Sequence, residues 1–234
     1  MNELNTPLPN TFAAKAIAYY LNLQTPTILP ASVEIINPYQ TEAVRETVRQ
    51  FYTRFFNDSQ PRIFLLGINP GRLGGGTTGL SFTDPVALRN YCHIQNDFGT
   101  KTELSSRFVY EFIQQFGGAK TFYSQFYLSA LYPLALVKHG KNYNFYDEPS
   151  LYQALKADIV ANIQAQIGFG ANIAQAVCLG KKNGVYLKRL NDEYGFFKSI
   201  VVLDHPRYIM QYKLREMEQY LDKYRQVLND FTHC

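Results

Sequence analysis

Four short apolar runs, residues 63–68, 126–131, 174–179 and 200–203, alternate along the chain with segments of helical period, and this alternation narrows the choice of fold more than any other feature. Each run has the length of a strand and closes on a turn residue or a polar break. Between them, Val44, Val48, Phe51 and Phe55 form one helical stripe behind a candidate cap at Thr41, and Leu104, Phe108, Phe112 and Phe116 form a second, ended by Gly117 and Gly118. Leu151, Leu155, Ile159, Ile163 and Ile167 recur every four residues after Pro149, with Gly168 and Gly170 as stop signals. Leu214, Met217, Leu221, Tyr224 and Leu228 mark a last amphipathic helix. Strands that are apolar almost throughout need cover on both faces. The pattern therefore predicts a three-layer α/β/α fold around a central, mostly parallel four-stranded sheet.

With 234 residues, 46% of them hydrophobic, and no repeat, low-complexity tract or linker, the sequence predicts a single domain spanning residues 1–234. The N-terminal stretch MNELNTPLPN is polar and no long apolar span follows, so neither signal peptide nor membrane segment is expected, and the reading is of a soluble, cytoplasmic protein. Cys92, Cys178 and Cys234 stand too far apart for a zinc, iron–sulfur or disulfide pattern and read as ordinary thiols. A net charge of +4 leans towards an anionic partner. Eighteen Tyr and 17 Phe either stack on bases or fill a core, and core is the default for any one of them. Residues 138–149, KHGKNYNFYDEP, read as the longest polar loop.

In an open α/β sheet, ligands lie beyond the carboxyl ends of the strands. The loop after the first run, within LLGINPGRLGGGTTGLSF, holds six glycines in eighteen residues and invites comparison with phosphate cradles. A P-loop needs Lys followed by Ser or Thr after its second glycine, and a dinucleotide fingerprint needs G-x-G-x-x-G opening a helix; neither is present. What remains is Asn69 at the strand's tip between Gly67 and Pro70-Gly71, which either caps its own turn or points a carboxamide into the cleft. Gly74, Gly75 and Gly76 read only as flexibility. After the last run comes LDHPRYIMQYK, where Pro206 fixes the backbone just beyond His205 and brings the imidazole to the same sheet edge as Asn69. Asp84, before Pro85, reads as a helix cap.

GINPG followed by TGLSF, FYLSALYPL, AVCLGKKN and the late HP resemble, in order, the motifs of the uracil-DNA glycosylase superfamily, and most of all its single-strand-selective monofunctional branch, as a divergent bacterial relative. The resemblance implies that Asn69 orients the hydrolytic water and that His205 hydrogen-bonds the base oxygen on which charge builds. It further implies that Gly67 and Ile68 offer backbone contacts to an extrahelical base, that Phe82 stacks on it, and that Gly71 leaves a space open. At the family's base-reading asparagine this chain holds Ala130, beside Ser129, which implies a broader or shifted set of deaminated bases: uracil, with hypoxanthine or xanthine. Arg207, Tyr208, Ile209 and Met210 would begin the segment that inserts into DNA, with Lys213 adding a phosphate contact. The implied protein is a monomeric DNA glycosylase without lyase activity, needing no metal or cofactor. The competing reading is a non-catalytic single-strand nucleic-acid-binding module on the same fold.

Overall fold

The computed structural model describes residues 7–26 and 29–232, so Cys234 and most of the polar N-terminal stretch lie outside the described residues. The four apolar runs form β2 (Arg62–Gly67), β3 (Phe126–Ala130), β6 (Ala171–Leu179) and β7 (Ser199–Leu203), paired in the order β3-β2-β6-β7 with every pair parallel. β2 lies second in the sheet and is buried at every position, as its apolar run from Ile63 onward requires. The chain runs from β2 out to β3 and then returns past β2 to β6. The strand order therefore reverses at β2, and a crevice opens beyond its carboxyl end.

Side chains that alternate along β3 show how both faces are covered. Tyr127 hydrogen-bonds Tyr20 of α1 (Phe12–Leu21) at 2.7 Å and Tyr52 of α2 (Glu42–Phe56) at 3.1 Å. On the other face Phe126 meets Phe116, just past α5 (Leu104–Gln115), and Phe122 of α6 (Gly118–Tyr123). Further along, α7 (Pro149–Gly170) joins the first layer, while α10 (Met217–Thr232) joins the second through Phe112 and Tyr224. Arg62 starts β2 fully buried, its guanidinium paired with both Asp58 oxygens and with the carbonyls of Gln60 and Tyr123.

Several local expectations are corrected. Residues 138–149 are not simply a loop: β1 (Val33–Ile36), β4 (Ala135–Lys138) and β5 (Lys141–Tyr143) form a second, antiparallel sheet in the order β1-β4-β5. These strands are short, and the turn between β4 and β5 uses His139 and Gly140, both at positive φ. Gly168 does not stop α7, which runs on to Gly170. Leu214 is exposed in a 3-10 turn ahead of α10 and takes no part in its apolar stripe. Thr41 does sit at the N-cap of α2, but its hydroxyl makes no cap bond and donates instead to the Pro38 carbonyl at 3.3 Å.

Candidate active site

Beyond the carboxyl ends of β2 and β7 lies a cleft of about 710 Å³, lined by both sequence motifs and by the β5 hairpin. Asn69 is held from outside its own loop. Its Nδ2 donates to the Tyr143 carbonyl at 3.0 Å and its Oδ1 accepts from the Phe145 N–H at 3.2 Å. These two bonds decide which end of the amide is which, and leave the oxygen a second lone pair for a water. Phe145 is itself fully buried, so the hairpin is anchored in the core while its backbone grips the asparagine.

Phe82 follows α3 (Gly75–Thr78) and has a left-handed backbone, φ 57°. A phenylalanine pays strain to stay there. Its ring lies over Gly67, where an added Cβ would sit 2.5 Å from Phe82 Cζ, so the absence of a side chain at Gly67 makes the ring's position possible. The ring centroid is 5.8 Å from that of His205.

His205 caps α9 (Pro206–Tyr212). Its Nδ1 accepts from the Arg207 N–H at 3.1 Å, which places the proton of the neutral ring on Nε2. Burial, aided by the nearby Arg207 guanidinium, lowers its pKa to about 4, so the imidazole is neutral around pH 7. Gly180, at φ 108°, lets the chain after β6 pass close beneath, where a Cβ would meet the ring's Cδ2 at 3.5 Å. The neighbouring Asp204 faces away, bridged to Lys181 and Lys223 at 3.3 Å each. The result is a neutral N–H donor beside an aromatic face and an oriented amide. Such a set can stabilise a departing anion and place a water, and among the described residues no cluster of His, Cys, Asp and Glu is arranged to hold a metal.

Of the other expected residues, Gly67, Ile68, Gly71 and Ala130 line the cleft. The carbonyls of Gly67 and Ile68 also accept from the N–H groups of Leu131 and Tyr132, which locks the strand tips together. Ser129 is not in the site. It alternates to the opposite face of β3 from Ala130, where its hydroxyl hydrogen-bonds Gln166 of α7. The space over Gly71 is not open: the Glu103 carboxyl occupies it. Arg207 and Tyr208 are exposed at the mouth, but Ile209 and Met210 are 0% and 8% exposed, because on a helix following His205 they fall on the core face. They are therefore no wedge. The exposed apolar groups here are Tyr208, Tyr212 and Leu214. Lys213 lies beyond the cleft and pairs with Glu216 at 2.9 Å.

Four contributors escaped the sequence reading: Glu103, Arg72, and Lys141 and Asn142 of the hairpin. Asn142 Oδ1 accepts from the Arg72 N–H at 3.0 Å and so ties the glycine loop to β5. Asp84 acts as the expected cap of α4 (Pro85–Asn90), accepting from the Val86 and Ala87 N–H groups, while its other oxygen accepts from the Glu103 N–H at 2.8 Å. The glycines 74–76 are packed rather than flexible. They start α3, and a Cβ on Gly76 would lie 2.9 Å from both Ala135 Cβ and the Gly71 carbonyl oxygen.

The chain belongs to the uracil-DNA glycosylase superfamily, whose family model matches residues 53–229 and so takes in both motif loops, the central sheet and the hairpin. It is similar over nearly its whole length to wild-type SMUG2 of Pedobacter heparinus. The crystal structure of that protein aligns with a TM-score of 0.92 at 41% identity, covering 96% of this chain and 99% of that one. No curated protein matches the chain.

Proposed function

We propose that this chain is a monofunctional DNA glycosylase that hydrolyses the N-glycosidic bond of deaminated bases: uracil, with xanthine or hypoxanthine as further substrates. The observation that carries this reading is His205, a neutral imidazole whose Nε2–H has no partner among the described residues and which lines one cleft with Phe82 and Asn69. The base leaves the stack because its glycosidic bond cannot be reached inside a duplex, and lies on the Phe82 ring. His205 donates to a base oxygen as the bond from the sugar C1′ to the base nitrogen breaks and negative charge gathers on the base. Asn69 holds a water against C1′; the water gives its hydroxyl to the sugar and its proton to the departing base. An amide takes no proton near neutral pH, so Asn69 orients the water and is not its base. Ala130 offers the base only a methyl group, which supports a wider base range than a carboxamide there would allow.

The segment that fills the vacated stack passes, in this reading, from Ile209 and Met210 to the exposed Tyr208 and Tyr212. The protein acts as a monomer and a single domain in the cytoplasm, without metal or cofactor. No helix among the described residues is long and apolar enough to cross a membrane.

Oligonucleotides carrying uracil, xanthine or hypoxanthine, single- and double-stranded, are incubated with excess protein and split by alkali. Abasic product that needs alkali for cleavage is expected, and it should be lost by at least 100-fold in Asn69→Ala and His205→Ala while DNA binding persists. Binding without release from any substrate would leave only the nucleic-acid-binding module. Borohydride trapping checks the absence of lyase chemistry, with the exposed Lys141 at the cleft mouth as the lysine to watch.

A further inference from the structure

Glu103 is a polar group of the cleft that the steps above leave idle. It holds the N-cap position of α5, yet its side chain makes no cap bond. The backbone is pinned instead, its N–H given to Asp84, and the side chain turns into the cleft. There the carboxyl lies over two glycines of the first motif: a Cβ on Gly71 would strike one of its oxygens and a Cβ on Gly74 the other. Both glycines thus make room for this one group. Among the described residues nothing hydrogen-bonds or ion-pairs with the carboxyl.

Its polar neighbours in the cleft are largely spoken for. Asn69 bonds the hairpin with both ends of its amide, the Asn142 oxygen accepts from the Arg72 N–H, and His205 Nδ1 accepts from the Arg207 N–H. A carboxyl held in the cleft with both oxygens unclaimed among the described residues is placed to meet a ligand. We propose that Glu103 is a base-reading residue whose carboxyl hydrogen-bonds the edge of the extrahelical base, in place of the carboxamide that Ala130 does not supply. This rests on the glycosylase reading.

The chemistry fits the proposed substrates. Uracil, xanthine and hypoxanthine each carry a keto oxygen next to a ring N–H. A neutral carboxyl offers an O–H to the first and a C=O to the second, the same pair that a carboxamide offers. An ionised carboxyl can meet only the N–H, and it sets a negative charge beside a base that departs as an anion. Burial raises the Glu103 pKa to about 7; Arg207 opposes the rise and Asp84 adds to it. Arg72, Lys141 and His205, with the phenols of Tyr143, Tyr146, Tyr208 and Tyr212, are the other titratable or charged groups lining the same cleft. Of these, His205 is already neutral in this range.

Single-turnover base release is measured from pH 5.5 to 9 for the wild type, Glu103→Gln, Glu103→Ala and Gly74→Ala, with DNA binding and melting temperature recorded for each. The wild-type rate should fall as pH rises through about 7. Glu103→Gln, neutral at every pH and still a donor and acceptor, should stay within a few-fold of the wild type and lose that alkaline fall. Glu103→Ala should release base about 10- to 100-fold more slowly while binding DNA as before, and Gly74→Ala, which displaces the carboxyl, should err in the same direction. Should the alanine variant fail to fold, the near-isosteric glutamine variant and Gly74→Ala decide. Release by Glu103→Ala within twofold of the wild type, or an alkaline fall that survives in Glu103→Gln, overturns this inference alone. A wild type that releases no base overturns the glycosylase reading and this one with it.

Discussion

His205 and Glu103 face one cleft with their ionisation displaced in opposite directions, and each displacement ties stability to pH. The His205 pKa is about 4 in the fold against the ordinary 6.5, so between these values the unfolded chain binds a proton that the native chain refuses. Its contribution is whole above pH 6.5 and is lost as pH falls towards 4. Glu103 stands at about 7 against an ordinary 4.5, so the native chain keeps a proton that the unfolded chain has released, and stability falls as pH rises from 4.5 to 7. Each effect is worth roughly 3 kcal/mol at most, and they oppose each other between about pH 4.5 and 6.5. Glu103→Gln should therefore melt at lower temperature on acidification from pH 6.5 to 4.5, and His205→Gln on alkalinisation from pH 5 to 7, each more steeply than the wild type. Melting curves of both variants that run parallel to the wild type across this range would defeat the account. Asn69 and His205 could be read from sequence because each follows a strand and abuts a proline that fixes the local backbone. Glu103 could not, because nothing in its own segment, TKTELSS, marks a pocket residue; it reaches the cleft only because distant Asp84 pins its backbone and distant glycines leave it space.

Among elements, the glycine loop and the hairpin show what periodicity carries and what it hides. The parallel sheet was legible because β2 is apolar from Ile63 onward and β3 is broken only by Ser129, and both are buried at every position. The β4–β5 hairpin was hidden. Lys141, Asn142 and Tyr143 of β5 are polar in a run of three, too short to alternate visibly, and the buried Phe145 that anchors the turn sits alone among polar neighbours. Yet it is this hairpin whose backbone fixes the Asn69 amide. The same loop sorts its glycines by what they touch. A methyl on Gly76 meets the Gly71 backbone and Ala135, neither of which can swing aside, so Gly76→Ala should cost about 1–3 kcal/mol. A methyl on Gly74 meets only the far end of the Glu103 side chain, so Gly74→Ala should melt within about 0.5 kcal/mol of the wild type while base release slows. Denaturant melts of the two variants give the comparison. Equal losses of stability would show that the loop does not distinguish its glycines in this way.

Over the whole molecule, the net charge of +4 is less informative than where free cations remain. Lys156 is paired with Glu193, Lys138 with Glu148, Lys181 and Lys223 with Asp204, and Lys213 with Glu216. At the cleft mouth Arg72, Lys141 and Arg207 are exposed and take part in no side-chain ion pair among the described residues, next to the open rings of Tyr208 and Tyr212. A nucleic acid bound over the cleft would release counterions chiefly against these three, while the two rings offer uncharged stacking surface. The terms separate by salt. On a catalytically silent His205→Ala background, the slope of log affinity against log salt concentration for a uracil-containing single strand should flatten by about one for each of Arg72→Ala, Lys141→Ala and Arg207→Ala. Lys156→Ala, distant from the cleft, should leave it unchanged. Tyr212→Ala should weaken binding by about 1–3 kcal/mol at every salt concentration with the slope preserved, because a stacked ring displaces no counterion. Fluorescence anisotropy titrations between 50 and 200 mM salt read both quantities, a range over which roughly this many phosphate contacts change affinity measurably. If Lys156→Ala flattens the slope as much as Arg207→Ala, the charge acts through the protein as a whole and the cleft mouth is not the DNA-binding face.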